Sequence, residues 1–310
     1  MNEVEVVEYT DPWCSVAWGT EPVLRLLRWR FGDRLRWRRV MGDLVADRRI
    51  ARPDFDPERA APKLSEYWRG AHEHTGMSYP ARLRWAPTAS DVPGRAVKAA
   101  ERQGDDVAGR LLRALRESCF VYSAPADDLE RIAAVARTVE GLDVDRLLAD
   151  SDSPEVDAAF ATDRAETRDP NEYVRTLEET HWAKGNAKPD GDGWRYVFPT
   201  LLFRGPGGEH TVPGWQPWAR YIEAMEAAVP GSTSDGRPDP TPDDAFAEWP
   251  LLTERELTVL CGEGAVAPDD AAPYDWGDGT AWLRAGVTSQ DWRACWLVGE
   301  LEAPRSPPSE

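Results

Sequence analysis

Apolar residues follow different spacings in different parts of the chain. Residues 4–9 are β-rich and residues 35–40 alternate between apolar and polar, so both stretches predict strands. Between them, apolar residues recur at helical spacing, which predicts a helix over residues 14–31 that ends at Gly32-Asp33. The first 40 residues therefore indicate a strand–helix–strand unit.

The middle of the chain changes character, because residues 55–185 contain no long β-rich run. Amphipathic patterns predict helices over residues 58–74, 94–103, 107–120, 127–139 and 154–168. Strand chemistry returns over 194–203, where Pro199 requires an edge, a bulge or a cis bond. A Gly-Pro-Gly-Gly turn at 205–208 then precedes a strand over 210–212 and a helix over 216–228.

This order of elements is the plan of the thioredoxin fold with an insertion. We therefore predict an α/β, thioredoxin-like fold with a central mixed β-sheet, a large all-helical insertion and a small C-terminal extension. The expected divisions are 1–54 and 186–229 for the thioredoxin-like domain, 55–185 for the insertion, 230–244 for a linker and 245–310 for the extension.

The net charge of the chain limits the classes of partner that it is expected to bind. Asp and Glu number 55 against 37 Lys and Arg, for a net charge of -18, which argues against binding nucleic acid or anionic membrane surfaces. No run of about 18 apolar residues and no signal-peptide pattern occurs, so a cytoplasmic protein is expected. Only four of the basic residues are lysines, which favours a halophilic, acidic proteome, with a GC-rich genome as the alternative.

Four scattered cysteines exclude a disulfide scaffold and a Cys-rich zinc module, so we expect no metal and no cofactor. Cys14 stands where the first strand meets the first helix. Unpaired N–H groups and the helix dipole at that place predict a thiol of lowered pKa that acts as a nucleophile. The alternative interpretation is a buried, inert cysteine.

The residues around Cys14 also resemble a known family. Asp11-Pro12-Trp13-Cys14-Ser15-Val16-Ala17-Trp18-Gly19 is similar to the active-site helix of the DsbA-like thioredoxin family, in particular its FrnE-like and ClpXP-adaptor-like branch, which carries Asp-Pro-Trp-Cys-x-x-Cys-Trp-Gly. Pro22 matches the proline inside that helix, Pro199-Thr200 resembles the cis-Pro loop, and Gly214-Trp215-Gln216 fits the start of the last helix. The resemblance covers about residues 3–228.

One position departs from the family pattern, because the second cysteine is Ala17 here. A resolving thiol is thus missing from the motif, unless Cys119 of the insertion approaches Cys14; the alternative for Cys119 is a place in the core. The resemblance implies a substrate groove lined by Trp13, Ser15, Ala17, Trp18, Phe198, Pro199 and Thr200.

Two functions from different classes remain. The leading hypothesis is an intracellular thiol–disulfide oxidoreductase or monothiol exchange protein that uses Cys14 on protein or small-molecule thiols and disulfides. The alternative is a non-catalytic adaptor whose groove recognises a protein partner, with the C-terminal extension as a further partner surface. A glutathione-transferase kappa-like enzyme fits poorly, because that branch has Ser at the place of Cys14.

Two polar features near these motifs have alternatives of their own. Glu21 lies two helical turns after Cys14. It is expected either to relay a proton to the thiol or to be a polar residue of the helix surface. The imidazoles of His72 and His74 diverge on a helix, so a solvated helix end is expected there and not a metal site.

Overall fold

The computed structural model describes residues 3–178, 185–275 and 279–284. The strands are β1 (Val4–Thr10), β2 (Leu35–Met41), β3 (Lys188–Asp190), β4 (Gly193–Arg195), β5 (Thr200–Gly205), β6 (Gly208–Pro213), β7 (Leu251–Thr253), β8 (Ala272–Asp275) and β9 (Thr280–Leu283). The helices are α1 (Ser15–Phe31), α2 (Arg48–Ala51), α3 (Pro57–Thr75), α4 (Asp91–Glu101), α5 (Asp105–Phe120), α6 (Leu129–Ala136), α7 (Val144–Ser151), α8 (Pro154–Thr167), α9 (Glu172–Thr176), α10 (Trp218–Ala228), α11 (Pro242–Glu248) and α12 (Glu254–Cys261).

The central sheet has the strand order β2-β1-β5-β6. β1 and β2 are parallel, whereas β5 is antiparallel to both β1 and β6, so the predicted mixed sheet is confirmed. Residues of β1 and β5 form one buried cluster with Leu24 and Leu27 of α1 and with Tyr221 and Met225 of α10. The predicted α/β fold follows from this packing of helices against the sheet.

Helices dominate the chain between β2 and β3, as the sequence predicts. Several begin at a side chain that accepts a backbone N–H of the first turn: Asp56, Asp128, Asp143, Ser153 and Asn171. The sequence does not predict α7, because the apolar pattern after its N-cap residue Asp143 is short. A large apolar cluster joins this insertion to Trp13 and Trp18 at the start of the molecule.

The strand predicted over 194–203 is divided at Pro199, and of the edge, bulge or cis bond expected there the structure has the cis bond. β4 pairs with β3 in a separate hairpin, and only β5 enters the central sheet. The Phe198–Pro199 peptide bond between them is cis. Because proline has no backbone N–H to donate, the ladder of the central sheet begins only after it, at Thr200.

Residues 230–244 do not form the free linker that their composition suggested. We call residues 232–239 the strap, because they lie across the C-terminal end of α1. Trp29 Nε1 donates to the Pro238 carbonyl at 2.8 Å, and Arg30 forms an ion pair with Asp239 at 2.5 Å. The Arg34 guanidinium donates to the carbonyl oxygens of Ser232, Ser234 and Asp235. Side chains of a distant helix thus supply the partners that a Pro/Gly-rich segment lacks.

The C-terminal extension packs on the thioredoxin-like domain. β7, β8 and β9 form a small antiparallel sheet in the order β7-β9-β8. Leu252, Leu257 and Leu260 share a buried cluster with Leu26 of α1. The rest of the predicted extension, residues 285–310, lies outside the described residues. Among the residues described, no helix is long and apolar enough to cross a bilayer.

Candidate active site at Cys14

Cys14 is the N-cap residue of α1. Its backbone is extended, its carbonyl oxygen accepts the N–H of Trp18 at 3.0 Å, and its Sγ accepts the N–H of Ala17 at 3.4 Å. The sulfur therefore occupies the place where a polar cap usually satisfies a first-turn donor. This is the helix-start position that the sequence predicts.

The cis-proline loop lies directly against the cysteine. Cys14 Sγ donates a hydrogen bond to the carbonyl oxygen of Phe198, with a distance of 3.2 Å. The carbonyl of Pro199 accepts the N–H of Gly214 at 2.7 Å, and the Thr200 hydroxyl donates to the Val197 carbonyl at 2.6 Å. The fold thus brings Phe198, the residue before the cis-proline, to Cys14, although 184 positions separate the two.

The helical insertion covers this end of the sheet. The indole N–H of Trp13 donates to the Ala89 carbonyl at 2.8 Å, and that of Trp18 donates to the Ser78 carbonyl at 3.0 Å. All the predicted site residues are buried: Trp13, Cys14, Ser15, Ala17, Trp18, Phe198, Pro199 and Thr200. The residues that the resemblance assigns to a substrate groove are therefore largely shielded from solvent.

The predicted lowering of the Cys14 pKa is wrong. Burial raises the pKa of Cys14 to about 11, and the N–H of Ala17 and the charge of Arg116 offset only part of that rise. The thiol is 5% exposed, so its thiolate would lose nearly all of its hydration. Cys14 is consequently a protonated hydrogen-bond donor at neutral pH.

Asp11 holds three segments together next to the cysteine. Its Oδ1 accepts the N–H of Trp13 at 2.9 Å and the hydroxyl of Ser90 at 3.0 Å, and its Oδ2 accepts the N–H of Leu44 at 2.7 Å. Burial raises the pKa of Asp11 to about 6, against the lowering effect of these hydrogen bonds. The carboxyl group therefore orders the loops around Cys14.

Glu21 fits neither of its predicted roles. The side chain is buried and forms an ion pair with Arg116 of α5. Although burial alone would raise it, the guanidinium groups of Arg116 and Arg113 bring the pKa of Glu21 down to about 2. A carboxylate with so low a pKa is too weak a base to take a proton from a thiol, so Glu21 acts as an electrostatic anchor for the insertion through Arg116.

A buried ion cluster that the sequence analysis missed continues from Glu21 into the C-terminal extension. Glu256 of α12, whose side chain is fully buried, lies 3.1 Å from Arg25 of α1 and 2.7 Å from Arg113 of α5. The Arg113 guanidinium also stacks over the Trp18 ring at 4.4 Å. One carboxylate thus joins the domain, the insertion and the extension. The sequence did carry a signal for this ion cluster: charged residues stand one turn apart within an apolar helix face, as in α5.

Three other residues considered from the sequence, His72, His74 and Cys119, contribute to packing and hydrogen bonding. His72 Nδ1 lies 2.8 Å from the Met77 carbonyl oxygen, and the His74 ring lies edge-on to Trp215 at 4.7 Å. Cys119 is a free, buried thiol in the cluster at the centre of the insertion, whereas Cys14 belongs to a different cluster. Cys119 therefore takes the core position that was one of its two predicted roles.

Comparison with known proteins agrees with this geometry. A strand–cysteine–helix unit facing a cis-proline defines a thioredoxin-fold protein. The thioredoxin family model matches residues 8–171, more than half of the chain, and the chain belongs to that family. A crystal structure described as a putative protein disulfide isomerase from Nitrosomonas europaea is 14% identical, with a TM-score of 0.52 over 73% of this chain and 97% of that one.

The chain is also similar in sequence to proteins that are named ClpXP adapter proteins. The ClpXP adapter protein SpxH of Shouchella clausii is 23% identical over 295 residues, which cover 90% of this chain and 89% of that protein. SpxH of Halalkalibacterium halodurans is 28% identical over 169 residues, or 54% of this chain and 55% of that protein. The predicted membership of a DsbA-like family with an adaptor-like branch is confirmed.

Proposed function

We propose that this chain is a protein-binding adapter built on the thioredoxin fold, with Cys14 as a structural thiol. The observation that carries the proposal is the buried Cys14 Sγ, which donates its proton to the Phe198 carbonyl and has Ala17 at the place of the resolving cysteine. Disulfide exchange needs an accessible thiolate and, in a dithiol enzyme, a second thiol within reach. Neither requirement is met by these contacts.

The similarity to SpxH supports the same proposal. Its alignment runs over 90% of this chain, so it includes the C-terminal extension as well as the thioredoxin-like domain. A thioredoxin-fold enzyme requires the thioredoxin-like domain and its cysteines, whereas an adapter also requires additional surface that binds its partner. The cytoplasmic location expected from the sequence belongs to this proposal.

Monothiol exchange is the second candidate, and one observation favours it. Cys14 keeps the N-cap position of α1 and receives the N–H of Ala17, the arrangement that stabilises a thiolate once the sulfur is solvated. This function would require the side chains over the sulfur to move aside. Burial therefore reverses the order of the two hypotheses drawn from the sequence.

Restoring the missing cysteine separates the two candidates. For an adapter, Ala17→Cys should leave the rate of insulin disulfide reduction at the background level, because both sulfurs would lie under the insertion. Ala133→Cys, in a buried site of α6, is the matched control. A rise of about tenfold or more in Ala17→Cys alone would instead establish exchange chemistry.

Partner capture provides the positive test. Photo-cross-linking in the native host should recover the same protein partners with the wild type and with Cys14→Ser. Loss of those partners in Cys14→Ser, or their release by a reducing agent, would contradict the adapter function, since it would show a disulfide to Cys14.

A further inference from the structure

A basic and apolar surface follows β2 at the cysteine end of the sheet. We call Arg48, Ile50, Arg52 and Phe55 the α2 patch. Ile50 is 81% exposed, a larger fraction than for any other exposed large hydrophobic residue in the described part of the chain. The guanidinium groups of Arg48 and Arg52 lie 5.3 and 5.5 Å from the centroid of the Phe55 ring. One aromatic ring thus holds two cations beside an exposed aliphatic side chain.

The two arginines of the patch have no paired carboxylate among the described residues. Within residues 3–178, 185–275 and 279–284, no carboxylate forms an ion pair with Arg48 or Arg52, whereas many other arginines are paired. Burial, followed by repulsion from Arg52, lowers the pKa of Arg48. The two cations share the Phe55 ring on a chain whose net charge is -18. An external carboxylate would relieve their repulsion.

The surroundings hold the patch at the edge of the candidate site. The N–H of Arg48 donates to the Thr88 carbonyl at 3.0 Å, and the N–H of Leu44, just before α2, donates to Asp11 at 2.7 Å. Because β1 and β2 are parallel, the segments after both strands emerge at the same end of the sheet. The patch therefore lies at the end of the fold that carries Cys14.

We propose that the α2 patch is the docking surface for a segment of a partner protein that carries carboxylates around an apolar side chain. The carboxylates would pair with Arg48 and Arg52, and the apolar side chain would cover Ile50. The chain as a whole has a net charge of -18 and repels such a segment, so attraction depends on local cations such as Arg48 and Arg52. The proposal rests on the adapter function and specifies one surface through which it acts.

A synthetic peptide tests the proposed chemistry directly. The probe is a fluorescein-labelled helix of Glu and Leu in which leucines repeat at i, i+3 and i+4, and the comparison is the same peptide with Lys in place of Glu. Fluorescence anisotropy with the full-length protein should show binding of the Glu peptide that weakens with salt, and no binding of the Lys peptide. Equal binding of both peptides, or of neither, would overturn the proposal.

Surface variants locate the binding. Ile50→Asp and the double variant Arg48→Glu/Arg52→Glu should each weaken binding about tenfold or more, which corresponds to roughly 1.4 kcal/mol. Val266→Asp, at a residue that is 76% exposed in the C-terminal extension, and Arg220→Glu on α10 are the matched controls and should bind as the wild type does. Unfolding curves should be unchanged, because these side chains lie at the surface. Control variants that weaken binding as much as the patch variants would overturn the assignment.

Other occupants give different results. Concentration-dependent dimers in sedimentation velocity that disappear in Ile50→Asp would assign the patch to a second copy of this chain, and binding to phosphatidylserine vesicles that requires Arg48 and Arg52 would assign it to a membrane. Either outcome would overturn the proposal. Native partners cross-linked equally by the wild type and Ile50→Asp would reject the docking surface and leave the adapter function standing. If the wild type captures no partner while the Glu peptide binds at the α2 patch, the adapter function is rejected, but the α2 patch is still established as a surface that binds carboxylate-bearing segments.

Discussion

The Sγ atom of Cys14 lies 3.2 Å from the carbonyl oxygen of Phe198 and donates a hydrogen bond to it. A thiolate has no proton for this bond and would place a negative charge against the carbonyl oxygen. The contact therefore favours the thiol, in the same direction as burial. The residue most suggestive of redox chemistry thus has an environment suited to a neutral side chain.

Alkylation should show this directly. With a pKa of about 11 in place of about 9, Cys14 of the folded protein should react with iodoacetamide about a hundredfold more slowly at pH 7 than the same cysteine in denaturant. Its rate should keep rising with pH up to about 11. Because the folded-state pKa is raised, the stability due to the buried thiol is present below pH 9 and is lost as the pH rises toward 11.

Mass spectrometry of the alkylated peptide measures the rate, and Cys14→Ser confirms the assignment. A rate that levels off near pH 8 in the folded protein would contradict the buried, protonated thiol.

Neutralising Glu256 should lower the urea concentration at which the protein unfolds. Glu256→Gln keeps the shape of the side chain but leaves Arg25 and Arg113 without their shared carboxylate in a buried position. Removal of one partner from a buried ion pair typically costs about 3–5 kcal/mol in the free energy of unfolding. Urea denaturation followed by tryptophan fluorescence measures this cost.

Glu254→Gln is the matched control, since Glu254 stands in the first turn of the same helix but is exposed. Its effect should stay within about 0.5 kcal/mol. If both variants have the same small effect, the extension is not anchored through Glu256.

Loss of the Arg34 side chain should release the strap. Arg34→Ala removes the donors to three carbonyl oxygens of residues 232–235, and each such bond contributes on the order of 1 kcal/mol. Hydrogen exchange should accelerate at the N–H of Arg237, which donates to the Arg30 carbonyl at 3.0 Å. Arg36→Ala on β2, where the side chain is 57% exposed, should leave that exchange unchanged. Rapid exchange at Arg237 already in the wild type would show a free linker.

The salt adaptation expected from composition stays a prediction. With a net charge of -18, repulsion within the folded chain should decrease as salt shortens the Debye length to about 3 Å near 1 M. The melting temperature should therefore rise between low salt and roughly 1 M KCl. A melting temperature that is flat or falls over this range would favour genome composition as the origin of the Arg-rich, Lys-poor sequence.

Local pattern was enough for the framework around the cysteine. β1, α1 and β2 follow from residues adjacent in the chain, and Cys14 falls at a helix start because Asp11-Pro12 ends the strand before it. The absence of a resolving thiol at position 17 is likewise a fact of the sequence. The pattern marked Pro199 as an interruption, but it did not reveal that the residues before it pair with β3 outside the central sheet, because a run of strand-forming residues does not specify its partner.

Tertiary structure decided how these residues behave, because burial and charge act through distance in space. The helix start alone lowers the pKa of a thiol, but residues far along the chain, among them Phe198 and Leu202, join the cluster that buries Cys14, and this burial reverses the direction. Glu21 becomes a permanent anion through Arg116, 95 positions away, and Glu256 meets Arg113 across 143 positions. The order of the elements was encoded locally, whereas the protonation state and accessibility of the candidate site depended on which distant segments came to lie over it.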